Sequence, residues 1–168
     1  MEKRGTAKLT LHIPGIGESA FRRRLLSDPE TMAYNRGYAP FPGYHPENGC
    51  IDCSEEDWLS WYPGWVGQEP ERFYAYLRSA GGDFVGEVNF HPAGDAHEIG
   101  IVILVEYREQ GYGREGLRLL LQKARSLGIR RLRNTFEPER EAAMRIHLAA
   151  GFRQVDTDGD CCVMEYRW

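Results

Sequence analysis

Two glycines near the middle of the chain, Gly111 and Gly113, form the part of the sequence best suited to chemistry. The segment after them has apolar residues at helical spacing: Leu117, Leu120, Leu121, Ala124 and Leu127. Glycines leave backbone N–H groups uncovered, and the N-terminus of a helix carries unpaired donors and a partial positive charge. This loop therefore suits a phosphate or a diphosphate.

Two familiar phosphate loops can be compared with this segment. Gly111 to Gly116 has the letters of the Gly-x-Gly-x-x-Gly dinucleotide fingerprint, but its strand lies in mid-chain and no strand–helix–strand repeat follows. A P-loop is excluded because no Gly-Lys-Ser/Thr follows the glycines. A plain glycine-containing turn between a strand and a helix stays open as an alternative.

A strand and a helix must hold this loop in place. Residues 99–105 are a continuous β-branched and aliphatic run, which predicts a strand buried on both faces. Further strands are predicted at residues 8–13, 72–78, 83–90, 131–136, 152–156 and 161–168. Further helices are predicted at residues 17–33 with an interruption at Asp28-Pro29, at 139–150, and for a short stretch after the capping box at Ser54. The predicted order is β-α-α-β-β-β-α-β-α-β-β, an α/β (α+β) fold.

The composition changes between Tyr34 and Pro70, where prolines and glycines alternate with aromatic residues. A long loop inside a compact domain is usually functional or disordered, and the aromatic density argues against disorder. These rings either pack on one another or line a substrate pocket. The pocket candidates are Tyr34, Tyr38, Phe41, Trp58 and Trp61. Nearby carboxylates would give such a pocket a negative potential suited to a cationic amine: Glu47, Asp52, Glu55, Glu56 and Asp57.

Length and charge limit the classes of function. A chain of 168 residues is long enough for one domain with a sizeable core. Its net charge of −4, with both signs mixed along the chain, argues against general nucleic-acid binding. No apolar run approaches membrane-spanning length, and residues 1–6 lead into no signal-peptide segment. A cytoplasmic protein that binds no membrane is the expectation.

Four cysteines occur as two close pairs, Cys50 with Cys53 and Cys161 with Cys162. Two pairs can in principle form a zinc site. However, the segment around Cys161 predicts a strand, whose alternation would point adjacent thiols to opposite faces. Free, reduced thiols and no bound metal are therefore expected.

Two segments resemble the signatures of one enzyme family. The run Arg108-Glu-Gln-Gly-Tyr-Gly113 is similar to the Arg/Gln-x-x-Gly-x-Gly/Ala motif of the GNAT superfamily of acetyl-CoA-dependent N-acetyltransferases. The segment from Glu141 to Phe152 resembles the family's Asn-x-Ala-Ala-x-x-x-Tyr-x-x-x-Gly-Phe helix. The element order also resembles the family fold, a mixed and mostly antiparallel sheet flanked by helices, as a single domain over residues 1–168. Two departures are Arg140 in place of the common Asn and His147 in place of the common Tyr.

The resemblance implies acetyl-CoA as the cofactor and a site for it. Backbone groups of the strand would pair with the pantetheine arm, and the glycine loop would wrap the diphosphate. The implied cofactor-binding residues are Ile101, Val102, Ile103, Arg108, Glu109, Gln110, Gly111, Tyr112, Gly113, Arg114 and Arg140.

Direct acetyl transfer to a primary amine needs a base, because only the neutral amine attacks. Glu98, just before the strand predicted at residues 99–105, is the first candidate. Glu87 on the preceding strand is the second, although either one also fits a structural role. A backbone N–H near Val102 or Ile103 would hold the developing oxyanion. His147 would donate a proton or hydrogen bond to the departing thiolate, or act as a structural hydrogen-bonding residue.

The acceptor stays open among small amines, aminoglycosides, peptide N-termini and protein lysines. The alternative to an enzyme is a non-catalytic acyl-CoA-binding or regulatory module on the same fold. Homodimers are common in the family, so a homodimer is one expectation for the assembly.

Overall fold

A central sheet of seven strands organises the computed structural model, which describes residues 8–168. The strands are β1 (Leu9–His12), β2 (Phe73–Ser79), β3 (Phe84–Ala93), β4 (Ala96–Ile103), β5 (Arg131–Phe136), β6 (Arg153–Asp158) and β7 (Cys161–Arg167). They are ordered β1-β2-β3-β4-β5-β7-β6, and only the β4–β5 pair is parallel. Residues 1–7, on which the expectation of no signal peptide was based, lie outside the described part.

Five α-helices surround the sheet: α1 (Ala20–Leu26), α2 (Pro29–Met32), α3 (Glu55–Trp65), α4 (Tyr112–Ser126) and α5 (Glu141–Ala150). The predicted fold class and the sequence of strands are confirmed. Three α-helices lie between β1 and β2, where the predicted order has two, because the stretch after Ser54 forms a helix of its own, α3. The Ser54 and Asp57 side chains form the expected capping box, and the helix continues through Pro63 to Trp65. Helix α5 begins two residues later than predicted, because the Arg140 amide first closes a turn onto the Glu137 carbonyl.

The two faces of the sheet pack against different helices. Alternate residues of β2 show this, since Phe73 and Ala75 belong to one core while Tyr74 and Tyr76 belong to the other. The first core contains α4 and packs against α5, and we call its side of the sheet the α4 face. The second core contains residues of α1, α2 and α3, and we call its side the α1 face.

Strands β4 and β5 are paired only at their beginnings. His97 lies beside Leu132 and Glu98 beside Arg133, and no pairing continues beyond them. On its other edge β4 stays paired with β3 up to Ile103. The sheet therefore has a gap on one side of the second half of β4.

The direction of the backbone groups in this gap follows from the β3–β4 ladder. The Leu104 amide donates to the Val85 carbonyl at 2.9 Å, so every second residue back along β4 bonds to β3. Ile101 and Ile103 occupy the alternate positions. Their N–H and C=O groups therefore point away from β3, into the gap.

Helix α4 packs closely against the α4 face at Gly116. A Cβ atom at this position would lie 2.7 Å from Leu77 Cδ1 and 3.3 Å from Ile101 Cδ1. The third glycine of the Gly111–Gly116 segment therefore lets the helix approach the sheet directly beside the gap.

Replacing this glycine should destabilise the fold. We expect Gly116→Val to lower the free energy of unfolding by about 1–3 kcal/mol, because the added methyl groups overpack the contact with Leu77 and Ile101. Urea denaturation measures the effect. Gly17→Val is the matched control, since no atom lies within 4 Å of a Cβ at that position; equal losses for both variants would contradict the close-packing interpretation.

Candidate active site

The loop between β4 and α4 contains two residues in the left-handed conformation, Glu109 with φ of 60° and Gly111 with φ of 86°. Gly111 is the N-cap of α4, and no side chain caps this end. The first helical hydrogen bond runs from the Glu115 amide to the Gly111 carbonyl. The amides that precede Glu115 in the helix, from Tyr112 to Arg114, therefore have no helical acceptor.

Gly113 has no steric reason to be glycine in the free protein. A Cβ there would make ordinary contacts with Ile146 at 3.6 Å and Ile103 at 3.9 Å. Glycine inside a helix costs about 1 kcal/mol relative to alanine. A bare backbone at this position instead fits the close approach of a diphosphate to the free amides.

Unlike these amides, two side chains of the loop already have hydrogen-bond acceptors within the protein. The Arg108 side chain turns back, donating from Nε to the Ile103 carbonyl at 3.0 Å and from an Nη to the Thr31 carbonyl at 2.9 Å. The Gln110 amide group donates to the Glu106 carbonyl at 3.1 Å. The unpaired donors of this loop are therefore main-chain amides rather than these two side chains.

A buried ion pair lies on the α1 face beneath the gap. Glu87 on β3, which is opposite Val102, is 4% exposed and bonds Arg22 of α1 at 2.9 Å. The Tyr74 hydroxyl donates a short hydrogen bond to the same carboxylate. The Arg22 guanidinium also lies 4.1 Å from the centre of the Trp61 ring. Two predicted site residues, Glu87 and Trp61, are thus brought together by Arg22, which the sequence analysis did not single out.

Burial alone would lower the pKa of Arg22, but the facing Glu87 carboxylate and Tyr74 raise it. The guanidinium therefore stays charged, and its charge is compensated. The Glu87 carboxylate in turn accepts hydrogen bonds from Arg22 and Tyr74, so it is held within this buried pair.

Glu98 differs from Glu87 in having no assigned partner. It lies on the same α1 face, four residues before Val102, at the last position where β4 pairs with β5. Its side chain is half-buried and forms no hydrogen bond or ion pair with any residue from 8 to 168. His91 faces it across the β3–β4 pair, with a buried Nδ1 that also has no partner in this part of the chain. Glu98 is therefore a carboxylate at the start of the gap that has no partner among the described residues.

The structure does not bring His147 to the gap. The residue is 1% exposed, and its ring lies between those of Phe136 and Phe152. Its Nδ1 bonds the Ala143 carbonyl at 2.7 Å, and its Nε2 lies 3.0 Å from the Asn134 side-chain nitrogen. An Nδ1–H tautomer satisfies both contacts, with Asn134 donating to Nε2. Burial lowers the pKa of His147, and the nearby Arg140 charge lowers it further.

The predicted substrate aromatics occupy three kinds of position. Trp58 is fully buried and donates from its indole to the Ile16 carbonyl at 2.6 Å, so it belongs to the core. Phe41 is 50% exposed and stacks on Tyr44. Tyr38 is also exposed, and its hydroxyl donates to Glu137 at 3.1 Å, while Tyr34 lies against Arg140. Two of the five residues therefore extend to the segment that follows β5, across the gap from β4.

The acidic residues of the aromatic segment do not face this region. Asp52 and Glu47 bond His45, and Asp57 caps α3. Glu55 accepts from the Ser19 hydroxyl at 2.5 Å and pairs with Arg23. These carboxylates, which were expected to attract a cationic amine, are thus bonded to other residues of the protein.

A shallow cavity of about 440 Å³ lies outside this site, on the face of β5, β6 and β7, with Arg133, Glu165 and Arg167 among its lining residues. The four cysteines are free, and residues 8–168 contain no group of three or more potential metal ligands in suitable geometry. No helix in this part of the chain is long and apolar enough to cross a bilayer.

Comparisons with known proteins agree with the geometry. The profile of the acetyltransferase (GNAT) domain matches residues 15–153. No curated protein sequence matches the chain.

Solved structures match it over nearly its whole length. Spermidine N-acetyltransferase from Vibrio cholerae, solved in complex with CoA and spermine, has a TM-score of 0.75 at 17% identity and covers 95% of both chains. A domain from Methanocaldococcus jannaschii has a TM-score of 0.73 at 16% identity, covering 96% of this chain and 99% of that one. A GNAT-family acetyltransferase from Bacillus anthracis has a TM-score of 0.70 at 19% identity, covering 96% of both chains.

One substitution should distinguish the role of the α4 N-terminal amides in CoA binding from their effect on the free energy of unfolding. We expect Gly113→Ala to keep or raise the free energy of unfolding, because a helical glycine is removed and the new contacts are ordinary. The methyl group should nevertheless weaken CoA binding by about tenfold or more, since it stands where the diphosphate approaches the helix. Isothermal titration with CoA and urea denaturation measure the two effects. Unchanged CoA affinity would contradict the assignment of the loop.

The buried state of His147 predicts a pH effect on stability. Its folded pKa is lowered, so below about pH 6.5 the unfolded chain binds a proton that the folded chain resists. The contribution to stability is therefore present above this pH and is lost as the pH falls towards the folded pKa. His147→Leu should remove this part of the acid dependence, measured as the difference in urea denaturation between pH 7.5 and pH 5. An identical acid dependence in both proteins would show that His147 titrates freely.

Proposed function

This chain belongs to the GNAT family of acetyl-CoA-dependent N-acetyltransferases, and we propose that it acts on a primary amine by direct attack in a ternary complex. The observation that carries the proposal is the meeting of two sets of backbone groups that no neighbouring strand or helical turn pairs, although the Ile103 carbonyl accepts from the Arg108 side chain. The open edge of β4 at Ile101 and Ile103 leads directly to the uncapped N-terminus of α4.

The donor site is proposed from the fit of these groups to coenzyme A. The amides of Tyr112, Gly113 and Arg114 suit the diphosphate, and the β4 edge suits the amide-containing pantetheine by strand-like pairing. Acetyl-CoA supplies an activated acetyl thioester. The gap between β4 and β5 would orient this thioester, because an extended group that enters the gap can pair with the open edge of β4.

The chemical roles follow from position. Glu98 removes a proton from the acceptor ammonium, directly or through a water molecule, since it lies at the closed end of the gap without another partner. The Ile101 and Ile103 amides are the donors available to a carbonyl oxygen that gains negative charge. The N–H of Val102 is directed to β3 by the ladder, which favours its two neighbours for this role.

Glu87 is proposed as a positioning residue rather than a base. Its carboxylate holds Arg22, and Arg22 in turn lies on the Trp61 ring. This arrangement fixes α1 and α3 against β3 beneath the gap. The acceptor then approaches from the α1 face, over Tyr34 and Tyr38.

A second candidate function is acyl-CoA binding without turnover. The observation that favours it is the burial of His147, which leaves the position of the family's common Tyr without a group that reaches the gap. An acceptor screen with acetyl-CoA separates the two. Thiol detection of released CoA in a panel of amines, aminoglycosides and peptides supports the enzyme; tight CoA binding without release for any acceptor supports the binding module. Spermidine and spermine belong in the panel because the Vibrio cholerae structure contains spermine.

The assignment of Glu98 leads to a test of the base. We expect Glu98→Gln to lower kcat/KM by roughly 10²–10⁴-fold at neutral pH while leaving the Kd for CoA unchanged, because only proton removal is affected. The deficit should shrink as the pH rises towards the pKa of the acceptor amine. Glu139→Gln, at an exposed glutamate in the turn between β5 and α5, is the control. Full turnover by Glu98→Gln would exclude this base.

A further inference from the structure

Several donor groups without acceptors converge beside the gap on the acceptor side. Arg140 is half-buried, with its guanidinium carbon 4.8 Å from the centre of the Tyr34 ring and 5.8 Å from that of Phe136. Within residues 8–168, its side chain forms neither an ion pair nor a hydrogen bond. Two aromatic rings thus hold a guanidinium in place whose N–H groups stay available.

A second guanidinium lies nearby. Arg108 uses Nε and one Nη on the Ile103 and Thr31 carbonyls, which hold the group against the end of β4. It pairs with no carboxylate from 8 to 168. Burial lowers the pKa of Arg108 and the nearby Arg140 charge lowers it further, while Tyr34 and Asp28 raise it.

Tyr34 lies against Arg140, and the charges of both arginines act on its phenol. Its hydroxyl forms no hydrogen bond with the described residues, and burial raises its pKa to about 12, so the phenol stays a donor. The N-terminus of α5 adds to the same region. Arg140 is its N-cap, no side chain caps it, and its first helical bond runs from Met144 to Arg140.

Three carboxylates lie near this region, and within residues 8–168 none of them forms an ion pair with Arg108 or Arg140. Glu87 is paired with Arg22, and Asp28, which acts on the Arg108 charge, accepts from the Thr31 hydroxyl. Glu137 accepts from the Tyr38 hydroxyl through one oxygen, while its other oxygen is buried without a partner in the described residues. An ammonium entering here would meet two guanidinium groups, whereas a carboxylate would meet donors that have no other acceptor.

We propose that Arg140, with Arg108 and Tyr34, binds a carboxylate of the acceptor, so that the substrate class is an amino acid or another carboxylate-bearing primary amine. This inference rests on the proposed function, because it names the acceptor of the same site. It departs from the cofactor role that the family resemblance implies for Arg140.

The diphosphate of CoA is the other source of negative charge, and distance along α5 argues against it. A Cβ atom at Gly113, in the proposed diphosphate loop, would lie 3.6 Å from Ile146, six residues after Arg140. At a rise of about 1.5 Å per residue these positions are about 9 Å apart along the helix. The Arg140 guanidinium lies on the Tyr34 side, towards the acceptor.

The test uses sets of acceptors that differ only at the carboxylate: tyrosine, tyrosine amide and tyramine, and lysine, lysine amide and cadaverine. The wild type should show kcat/KM at least about tenfold higher for the carboxylate member, as expected for charge-assisted hydrogen bonds. Arg140→Met should reduce the preference to less than about threefold by lowering only the carboxylate member's value. Arg145→Met, an exposed arginine on the same helix, is the control and should keep the preference.

Two further measurements distinguish the possible failures. The Kd for CoA should be equal in wild type and Arg140→Met; a selective loss of CoA affinity in the variant assigns Arg140 to the cofactor and overturns the inference. If no amine is acetylated, the proposed function fails, and titration of CoA-loaded protein with N-acetyltyrosine and N-acetyltyramine still tests the carboxylate site. Equal affinity for the two compounds, or faster turnover of tyramine, cadaverine or spermidine than of the carboxylate members, would overturn it.

Discussion

The separation of β4 from β5 after Glu98 is the constraint on which the rest of the site depends. A strand in the middle of a sheet normally has both edges paired, and unpaired backbone groups inside a protein are costly. Here one edge of β4 is held by β3 while the other has no partner strand at Ile101 and Ile103. The glycine loop and the uncapped start of α4 continue this line of free donors. The fold thus creates a binding edge by omitting hydrogen bonds at one place in the sheet.

The two faces of the sheet next to this gap carry different kinds of residues. On the α4 face, Gly116 lets helix α4 pack directly against the sheet. His147 is buried there as a neutral ring, with a hydrogen bond at each of its two nitrogens. On the α1 face, the Arg22–Glu87 pair and the rings around it form a charged but compensated layer. A buried ion pair is a weak source of net stability but penalises any arrangement that separates its partners. We infer that it serves to fix the helices of the α1 face relative to β3.

Sequence reasoning succeeded where local patterns determine structure. The strand–loop–helix unit, the capping box at Ser54 and the family signatures are all short-range features, and the fold follows them. Arg22 was missed although its signal was present, because Leu25 and Leu26 lie three and four residues after it on the same helical face. The burial of Trp58 and the two bonds of His147 depend on distant segments, so no local pattern could show them. The hydrophobic pattern cannot predict the gap, since the sequence of β4 is that of an ordinary strand buried on both faces.

Amide hydrogen exchange of β4, measured with and without acetyl-CoA, tests the central claim most directly. In the free protein the Val102 and Leu104 amides should exchange slowly because they bond β3, and the Ile101 and Ile103 amides should exchange faster. Acetyl-CoA should protect Ile101, Ile103 and Gly113 while leaving Val102 unchanged. Equal protection of all β4 amides in the free protein, or no change at the alternate positions on adding acetyl-CoA, would contradict a cofactor site built from the open edge of this strand.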